Sequence, residues 1–172
     1  MPTTTDIEQR VGNLAWRWIQ DWADIPPDPG HAHHGIAVSR SGEIVTGHAS
    51  RPEIQIFTPE GAFVRRFPVP VGETHGITLI EEDGAEYLWI ADNEGRAEDG
   101  ERTVIKVDLE GRVLAELRAE HFGYAEGEAF VPTAVAHEAA TGRIWVTDGY
   151  GSSRVHRFAP DLTRELTIDG SE

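Results

Sequence analysis

The chain has 172 residues, and its 30 acidic residues against 15 Lys and Arg give a formal net charge of −15, which argues against a nucleic-acid partner. It contains no cysteine, so disulfides and thiolate metal sites are excluded. No apolar run approaches the ~20 residues of a membrane span, and no membrane partner is expected. The polar start, Met1 to Arg10, does not resemble a signal peptide, and a cytoplasmic location is the default expectation.

The first 30 residues are expected to form an N-terminal arm (residues 1–30). The polar residues before Val11 are predicted to be disordered. Leu14, Trp16 and Trp18 alternate with polar or small residues, which favours a strand or an extended arm that covers a sheet edge as the outer strand of a blade. A helix is the alternative, because Trp18 and Trp22 are four residues apart.

The remaining residues, 31–172, contain one pattern three times, at about residues 34–68, 75–117 and 131–168. Each copy has four short apolar runs separated by turn residues. A period of about 40 residues with four strands per unit is typical of a β-propeller blade. The sequence therefore predicts an all-β fold, a partial β-propeller of three four-stranded blades, about half of a six-bladed ring.

Ring closure sets a further expectation. Propellers usually need about 4–8 blades to close, and three blades leave apolar faces uncovered. The pattern stops at Glu172, where a fourth blade would open. We expect either a truncated chain or a half-ring that associates with a second copy through its open blade edges.

Histidines give the first candidate site. His34 and His75 hold the same place in successive copies, just before the glycine that opens the first strand, at the expected channel mouth. Zinc binds imidazole nitrogen, and a catalytic zinc needs about three protein ligands. The neighbouring His31 and His33 make the choice within the first copy ambiguous, and the third copy has Thr133 at the corresponding place.

A second candidate site follows the second run of the third copy, in Asp148-Gly149-Tyr150. Tyr150 is flanked by glycines, so its phenol can project as a proton carrier. Asp148 and its counterpart Asp92 are expected to bond backbone amides of the loops that follow them. Arg154 is expected either to pair with a blade carboxylate or to contact substrate.

These motifs resemble NHL repeats, which combine a Gly-Ile/Val-x-Val strand, a Gly-x-Ile-x-Val-x-Asp strand and an Arg-Ile/Val-x-x-Phe strand. Within NHL-type propellers the chain is most similar to the peptidyl-α-hydroxyglycine α-amidating lyases. Two stretches carry this likeness: His75-Gly76-Ile77, and the stretch from Pro132–Ala136 through Thr141–Tyr150 to Ser153-Arg154-Val155. The resemblance implies C–N cleavage of an α-hydroxyglycine amide, with a peptide or small molecule as substrate.

The resemblance also implies a zinc held by three histidines, a calcium in the channel, and a tyrosine and an arginine beside the substrate. His75 matches the first zinc histidine, Ile77 the residue whose carbonyl binds calcium, and Tyr150 the catalytic tyrosine. The other two zinc histidines would lie beyond Glu172, so the chain alone is expected to be catalytically incomplete, with His34 as a further candidate ligand. The family's arginine has no exact counterpart.

Two nearby residues can replace that arginine. The corresponding region reads Thr46-Gly47-His48-Ala49-Ser50-Arg51, in which Arg51 is the candidate catalytic arginine and His48, with Arg154, a candidate substrate contact. Two other functions stay open from the residues. One is a non-catalytic propeller that binds protein or small ligands. The other is a lactonase-like hydrolase that uses a carboxylate-bound calcium.

Overall fold

A computed structural model describes residues 7–26, 35–48 and 50–170, and its sheets confirm a partial β-propeller. Three antiparallel four-stranded sheets follow one another along the chain, each with its strands in sequence order. The blade 1 strands are β3 (Ile36–Val38), β4 (Ile44–Gly47), β5 (Glu53–Phe57) and β6 (Phe63–Pro68). The blade 2 strands are β7 (Gly76–Glu82), β8 (Ala85–Ala91), β9 (Thr103–Asp108) and β10 (Val113–Arg118). The blade 3 strands are β11 (Ala134–Glu138), β12 (Arg143–Asp148), β13 (Arg154–Phe158) and β14 (Arg164–Asp169).

The blades pack face to face through two apolar cores, because alternate residues of each strand point to opposite faces of its sheet. The first core lies between blades 1 and 2 and includes Val45, Ile56, Leu88 and Ile105. The second core lies between blades 2 and 3 and includes Trp89, which is 3% exposed. This tryptophan of the second strand fills space between the two blades, where its large apolar area is removed from water.

The first strands of the blades lie side by side, which defines the channel side of the sector. Gly76, at the start of β7, approaches blade 3 so closely that a Cβ would fall 2.4 Å from the carbonyl oxygen of Thr133. Thr78 of the same strand donates a hydrogen bond to the carbonyl of Val135 in β11. A side chain at residue 76 would force these strands apart, so glycine is required there.

All the loops of interest lie at one end of the blades. In an antiparallel four-stranded sheet, the first and third strands begin at the end where the second and fourth strands finish. We call this end the upper end. It carries the second-to-third strand loops (residues 48–52, 92–102 and 149–153) and the segments that lead into blades 2 and 3 (residues 69–75 and 119–133).

The segment between blades 2 and 3 forms part of the core. It begins with a short helix, α1 (Ala119–Phe122), which ends at Gly123 in the left-handed conformation. Phe122 is 1% exposed, and its ring packs against Phe130 and Phe158 with centroids 4.4 and 5.0 Å away. The aromatic residues of this segment therefore fill the interface between blades 2 and 3.

The N-terminal arm differs from expectation in two respects. Strand β1 (Ile7–Val11) pairs with β2 (Leu14–Trp18), so the expected disorder before Val11 is wrong for residues 7–10. The two strands form a separate two-stranded sheet, so the expectation that the arm supplies an outer blade strand is also wrong. The strand prediction at Leu14–Trp18 is confirmed, and the helical alternative is not realised.

The arm continues onto blade 1. The ring of Trp22 packs against that of Phe57, with the ring centroids 6.5 Å apart, and its Nε1 donates a hydrogen bond to the carbonyl of Pro59 at 3.2 Å. The amide of Asp24 donates to the carbonyl of Gly61 at 2.8 Å. Across residues 7–26, 35–48 and 50–170, no helix is long and apolar enough to cross a lipid bilayer.

Candidate functional site

Two of the predicted site residues meet at the upper end. His75 directly precedes β7, and Tyr150 lies in the loop between β12 and β13 of the next blade. The two rings are in edge-to-face contact, with centroids 5.4 Å apart and an interplanar angle of 86°. Tyr150 is 66% exposed, so its phenol is accessible to a substrate while its ring edge is held by the imidazole.

The imidazole of His75 is oriented by blade 3. Its Nδ1 lies 2.9 Å from the carbonyl oxygen of Thr133. A carbonyl can only accept, so Nδ1 carries a proton, and in the neutral imidazole the lone pair is on Nε2. Histidines that bind metal commonly donate their other ring nitrogen to a carbonyl in this way. The tautomer and orientation of His75 are therefore those of an Nε2 ligand or base.

The loop that carries Tyr150 is held by a buried carboxylate. Asp148 is completely buried at the end of β12. Its oxygens accept four hydrogen bonds, from Tyr124 Oη (2.6 Å), Val131 N (3.1 Å), Gly151 N (2.8 Å) and Ser152 N (3.0 Å). Two of these donors, Gly151 and Ser152, belong to the loop itself, so the carboxylate fixes the backbone that directly follows Tyr150. The predicted structural role of Asp148 is confirmed.

A chain of polar groups continues from Asp148 into blade 3. Tyr124 donates its hydroxyl to Asp148, and its oxygen lies 3.1 Å from His156 Nε2. His156 Nδ1 lies 3.0 Å from the hydroxyl of Thr167. Burial and the bond to Asp148 raise the pKa of Tyr124, so it stays protonated. Burial, with Arg164 nearby, lowers the pKa of His156 to about 4, so its imidazole is neutral at pH 7.

Blade 2 repeats the carboxylate arrangement. Asp92, at the end of β8, is completely buried. Its oxygens accept from the backbone amides of Gly72 (2.9 Å), Glu73 (3.0 Å), Glu94 (3.2 Å) and Gly95 (3.0 Å). The donors come from the loop that follows Asp92 and from the segment that leads to His75. The predicted structural role of Asp92 is confirmed.

Blade 1 has His48 in the place of that aspartate, which the sequence analysis missed. The amide of His48 donates to the carbonyl of Glu53 at the start of β5, as the amide of Asp92 donates to Thr103 at the start of β9, both at 2.9 Å. His48 is 4% exposed, and its Nδ1 accepts from the amide of Ser50 at 3.0 Å. The signal is present in the sequence, because His48 and Asp92 both directly follow the second strand.

Arg51 and His48 lie together, beside the segment that carries His75. Nη2 of Arg51 is 3.0 Å from Nε2 of His48, and Nε is 3.4 Å from the Glu53 carboxylate. Gly47 approaches Thr74, the residue before His75, so closely that a Cβ would fall 1.9 Å from Thr74 Oγ1. The structure thus places both predicted residues in an upper-end loop that packs against the His75 segment, and their roles towards substrate stay predictions.

Arg154 is engaged with carboxylates of its own blade region. Its Nη2 donates to Glu128 at 2.8 Å, and its Nε lies 3.7 Å from Asp169. Its guanidinium also stands over the ring of Tyr124, 5.2 Å from the centroid. The bond from Arg154 lowers the pKa of Glu128. These contacts fit the structural alternative for Arg154, and a substrate contact stays a prediction.

The predicted metal ligands are met only in part. Ile77 is 8% exposed, lies in β7 opposite Ile90, and packs in the core between blades 1 and 2. His34 lies outside the described residues. Within the described ranges, no group of three His, Cys, Asp or Glu side chains could hold a metal ion. His75 has the geometry of one zinc ligand, but the described residues do not make a complete zinc site.

Comparisons with known proteins bear on the fold and not on the function. No protein-family model and no curated protein matches the chain. Its structural neighbours are β-propeller-like proteins at low sequence identity. A structure titled dihydro-heme d1 dehydrogenase NirN in complex with DHE is 12% identical, with a TM-score of 0.54, and the match covers 79% of this chain and 28% of that one.

Virginiamycin B lyase from Staphylococcus aureus is 13% identical with a TM-score of 0.48, and the match covers 97% of this chain and 64% of the lyase. A streptogramin B lyase structure is 16% identical with a TM-score of 0.44, and the match covers 81% of this chain and 55% of that one. The chain therefore spans between about a quarter and two thirds of the length of these neighbours. The likeness to the NirN structure, with a TM-score above 0.5, agrees with the β-propeller-like fold that the sheets show.

Proposed function

We propose that the upper end of this partial propeller is a lyase site of the NHL-propeller, amidating-lyase type, with Tyr150 as its proton carrier and His75 as a zinc ligand. The observation that carries the proposal is the contact between these two rings. Residues from two different blades, 75 positions apart in the sequence, are brought to 5.4 Å at the channel side of the upper end.

The supporting geometry is local to this pair. The bond from His75 Nδ1 to Thr133 orients Nε2 of the neutral imidazole, and the bonds from Gly151 and Ser152 to Asp148 fix the loop of Tyr150. An exposed phenol on a rigid loop is a typical positioned acid or base. Zinc, when bound, would supply Lewis-acid polarisation of a substrate oxygen. A complete zinc site needs ligands beyond the described residues, and the calcium proposed at the Ile77 carbonyl needs them as well.

The proposed reaction is internally balanced. The substrate is an N-acyl-α-hydroxyglycine, in which the amide nitrogen is bonded to the carbon that carries the hydroxyl. Its hydroxyl proton leaves, the C–O bond becomes a carbonyl, and the C–N bond breaks with its electron pair moving to nitrogen. The nitrogen takes one proton, so the products are a primary amide and glyoxylate, with no oxidant or co-reactant. Tyr150 is the group that moves the proton, because its phenol is the exposed titratable side chain in contact with His75.

The carboxylates favour this proposal over a calcium-dependent lactonase. Such an enzyme needs carboxylates that point into the channel as cation ligands. Asp92, which directly follows β8, and Asp148, which ends β12, instead use their oxygens to accept four hydrogen bonds each. Neither side chain is placed as a channel ligand.

The test is release of glyoxylate from α-hydroxyhippurate by the 172-residue protein, before and after chelation and with zinc restored. The proposal requires that the protein in solution supplies the zinc ligands that the described residues of one chain lack. On that condition we expect turnover that is lost with chelator, recovered with zinc and at least 100-fold lower in Tyr150→Phe. Tyr87→Phe is the matched control, because Tyr87 lies near the start of β8, at the end of the blade opposite to the upper end. Turnover that is equal in wild type and Tyr150→Phe, or absent from the wild-type protein, overturns the proposal.

A further inference from the structure

Blade 1 leaves one face open where a blade is expected to pack. Ile36 and Val38 of β3 point away from blade 2 and are 65% and 61% exposed. Trp22 of the N-terminal arm covers Phe57, farther out on the same face, but leaves these two residues open. An apolar first strand exposed to this degree is unusual for a propeller, in which the first strands line the channel between neighbouring blades.

The repeat shows what kind of surface this face fits. A row here means the residues that lie opposite one another on the first three strands of a blade. The blade 1 row of Ile36, Thr46 and Gln55 corresponds to the blade 2 row of Ile77, Ile90 and Ile105 and to the blade 3 row of Val135, Val146 and His156. In blades 2 and 3 this row is covered by the preceding blade, and Ile77 and Val135 are 8% and 6% exposed. In blade 1 Gln55 is 4% exposed, so the open part of this face lies at Ile36 and Val38 of β3. This open face of blade 1 is the receiving half of an interface that the chain already forms twice.

Blade 3 exposes the opposite half of that interface. Its row Ala136–Trp145–Arg157 corresponds to Thr78–Trp89–Lys106 in blade 2, where Trp89 is 3% exposed beneath blade 3. No blade within the described residues covers Trp145, whose ring is stacked by Arg157 at 5.3 Å. Leu166 and Ile168 continue this face and are 38% and 48% exposed.

We infer that the open face of blade 3 packs on the open face of blade 1 of a second copy, and that two copies close a six-bladed ring. The two faces are the two halves of the same blade–blade interface, so each copy carries the surface that covers the other. The three blades that the described residues form are too few to close on themselves, whereas six lie within the range of about 4–8 that forms rings. The contact is head-to-tail, and a two-fold rotation about the channel closes it.

The ring also bears on the candidate site, in a step that rests on the proposed function. Each copy would bring its own His75–Tyr150 pair to one shared channel mouth. The described residues of a single chain contain no group of three possible ligands, and the His75 imidazole of the second copy would add a ligand at this mouth. Association itself depends only on the two blade faces, so it can stand or fall independently of the lyase chemistry.

The test is sedimentation equilibrium of the wild-type protein and of two double variants, one for each face. We expect twice the chain mass of 19.0 kDa for wild type. We expect the monomer mass for Ile36→Asp/Val38→Asp and for Leu166→Asp/Ile168→Asp, because a buried unpaired carboxylate is strongly unfavourable. Val64→Asp is the matched control, since Val64 is 43% exposed on the outer strand of blade 1.

Mixing the two double variants tests the head-to-tail geometry. The first variant keeps an intact blade 3 face and the second an intact blade 1 face, so the mixture regains one of two interfaces and forms dimer. A face that paired with its own copy would instead let one variant dimerise alone. Circular dichroism establishes that each variant is folded. A folded wild-type monomer, a growing open polymer, or a dimer unaffected by both variants overturns the inference, whatever the result with α-hydroxyhippurate.

Discussion

Tyr124 donates its hydroxyl to the carboxylate of Asp148 at 2.6 Å, and this bond joins the segment between blades 2 and 3 to the loop of Tyr150. Asp148 thereby connects three parts of the upper end: residue 124, residue 131 and the loop at 149–153. A single buried carboxylate positions a predicted catalytic group without being able to contact substrate itself. The same residue type performs this task in blade 2, through Asp92.

Asp148→Ala is expected to destabilise the protein by about 3–5 kcal/mol, because it leaves three amides and one hydroxyl without their acceptor. The matched control is Asp161→Ala, in an exposed turn of the same blade. This change removes the hydrogen bond that the amide of Thr163 donates to Asp161 Oδ1 at 3.0 Å. Thermal unfolding should show a midpoint lower by about 10 °C for the first variant and by much less for the second. Equal shifts would contradict the connecting role of Asp148.

His156 predicts a pH dependence of stability. Burial lowers its pKa to about 4 in the folded protein, against about 6.5 in an unfolded chain. The unfolded state therefore binds more protons between these values, so stability is fully present above about pH 6.5 and is lost as pH falls towards 4. The loss from this group is about 3 kcal/mol. Urea unfolding from pH 7 to pH 4 measures it.

The control for that experiment is His156→Gln, which retains polar atoms beside Tyr124 and Thr167 but does not titrate. The variant should be less stable than wild type at pH 7. Its free energy of unfolding should then fall less steeply than that of wild type between pH 6.5 and 4. Parallel curves for the two proteins would show that other groups cause the acid sensitivity.

The blades could be predicted from the sequence because each apolar row recurs with the same spacing and the same turns. The meeting of His75 and Tyr150 followed from that register. The packing of Phe122 and Phe130 did not, because their segment has no counterpart in the other repeats. The pairing of β1 with β2 in the N-terminal arm could not be predicted from an apolar pattern, because β1 is mostly polar. The two strands are joined instead by the tight turn between Val11 and Leu14.

His75→Ala and Tyr150→Phe are expected to separate metal binding from proton transfer. His75 presents Nε2 as a ligand, so its loss should remove most bound zinc, measured by atomic absorption after dialysis. Tyr150→Phe keeps the ring that contacts His75, so zinc content should stay at the wild-type level while turnover falls at least 100-fold. His137→Ala, near the opposite end of the blades, serves as the histidine control. Zinc content unchanged in His75→Ala would refute the assignment of the ligand.

His48 occupies in blade 1 the position that Asp92 occupies in blade 2, so exchanging the two residue types tests whether the two sites are equivalent. His48→Ala removes the acceptor for the amide of Ser50, in a buried site, and should cost about 1–3 kcal/mol. His48→Asp restores an acceptor of the kind used in blades 2 and 3, and Arg51 beside it can balance the charge, so it should cost less than the alanine variant. Asp92→His should be the most damaging, because one imidazole nitrogen cannot replace a carboxylate that accepts from four amides. Chemical unfolding of the three variants ranks them, and an aspartate at residue 48 that destabilises more than alanine would show that the two sites are not equivalent.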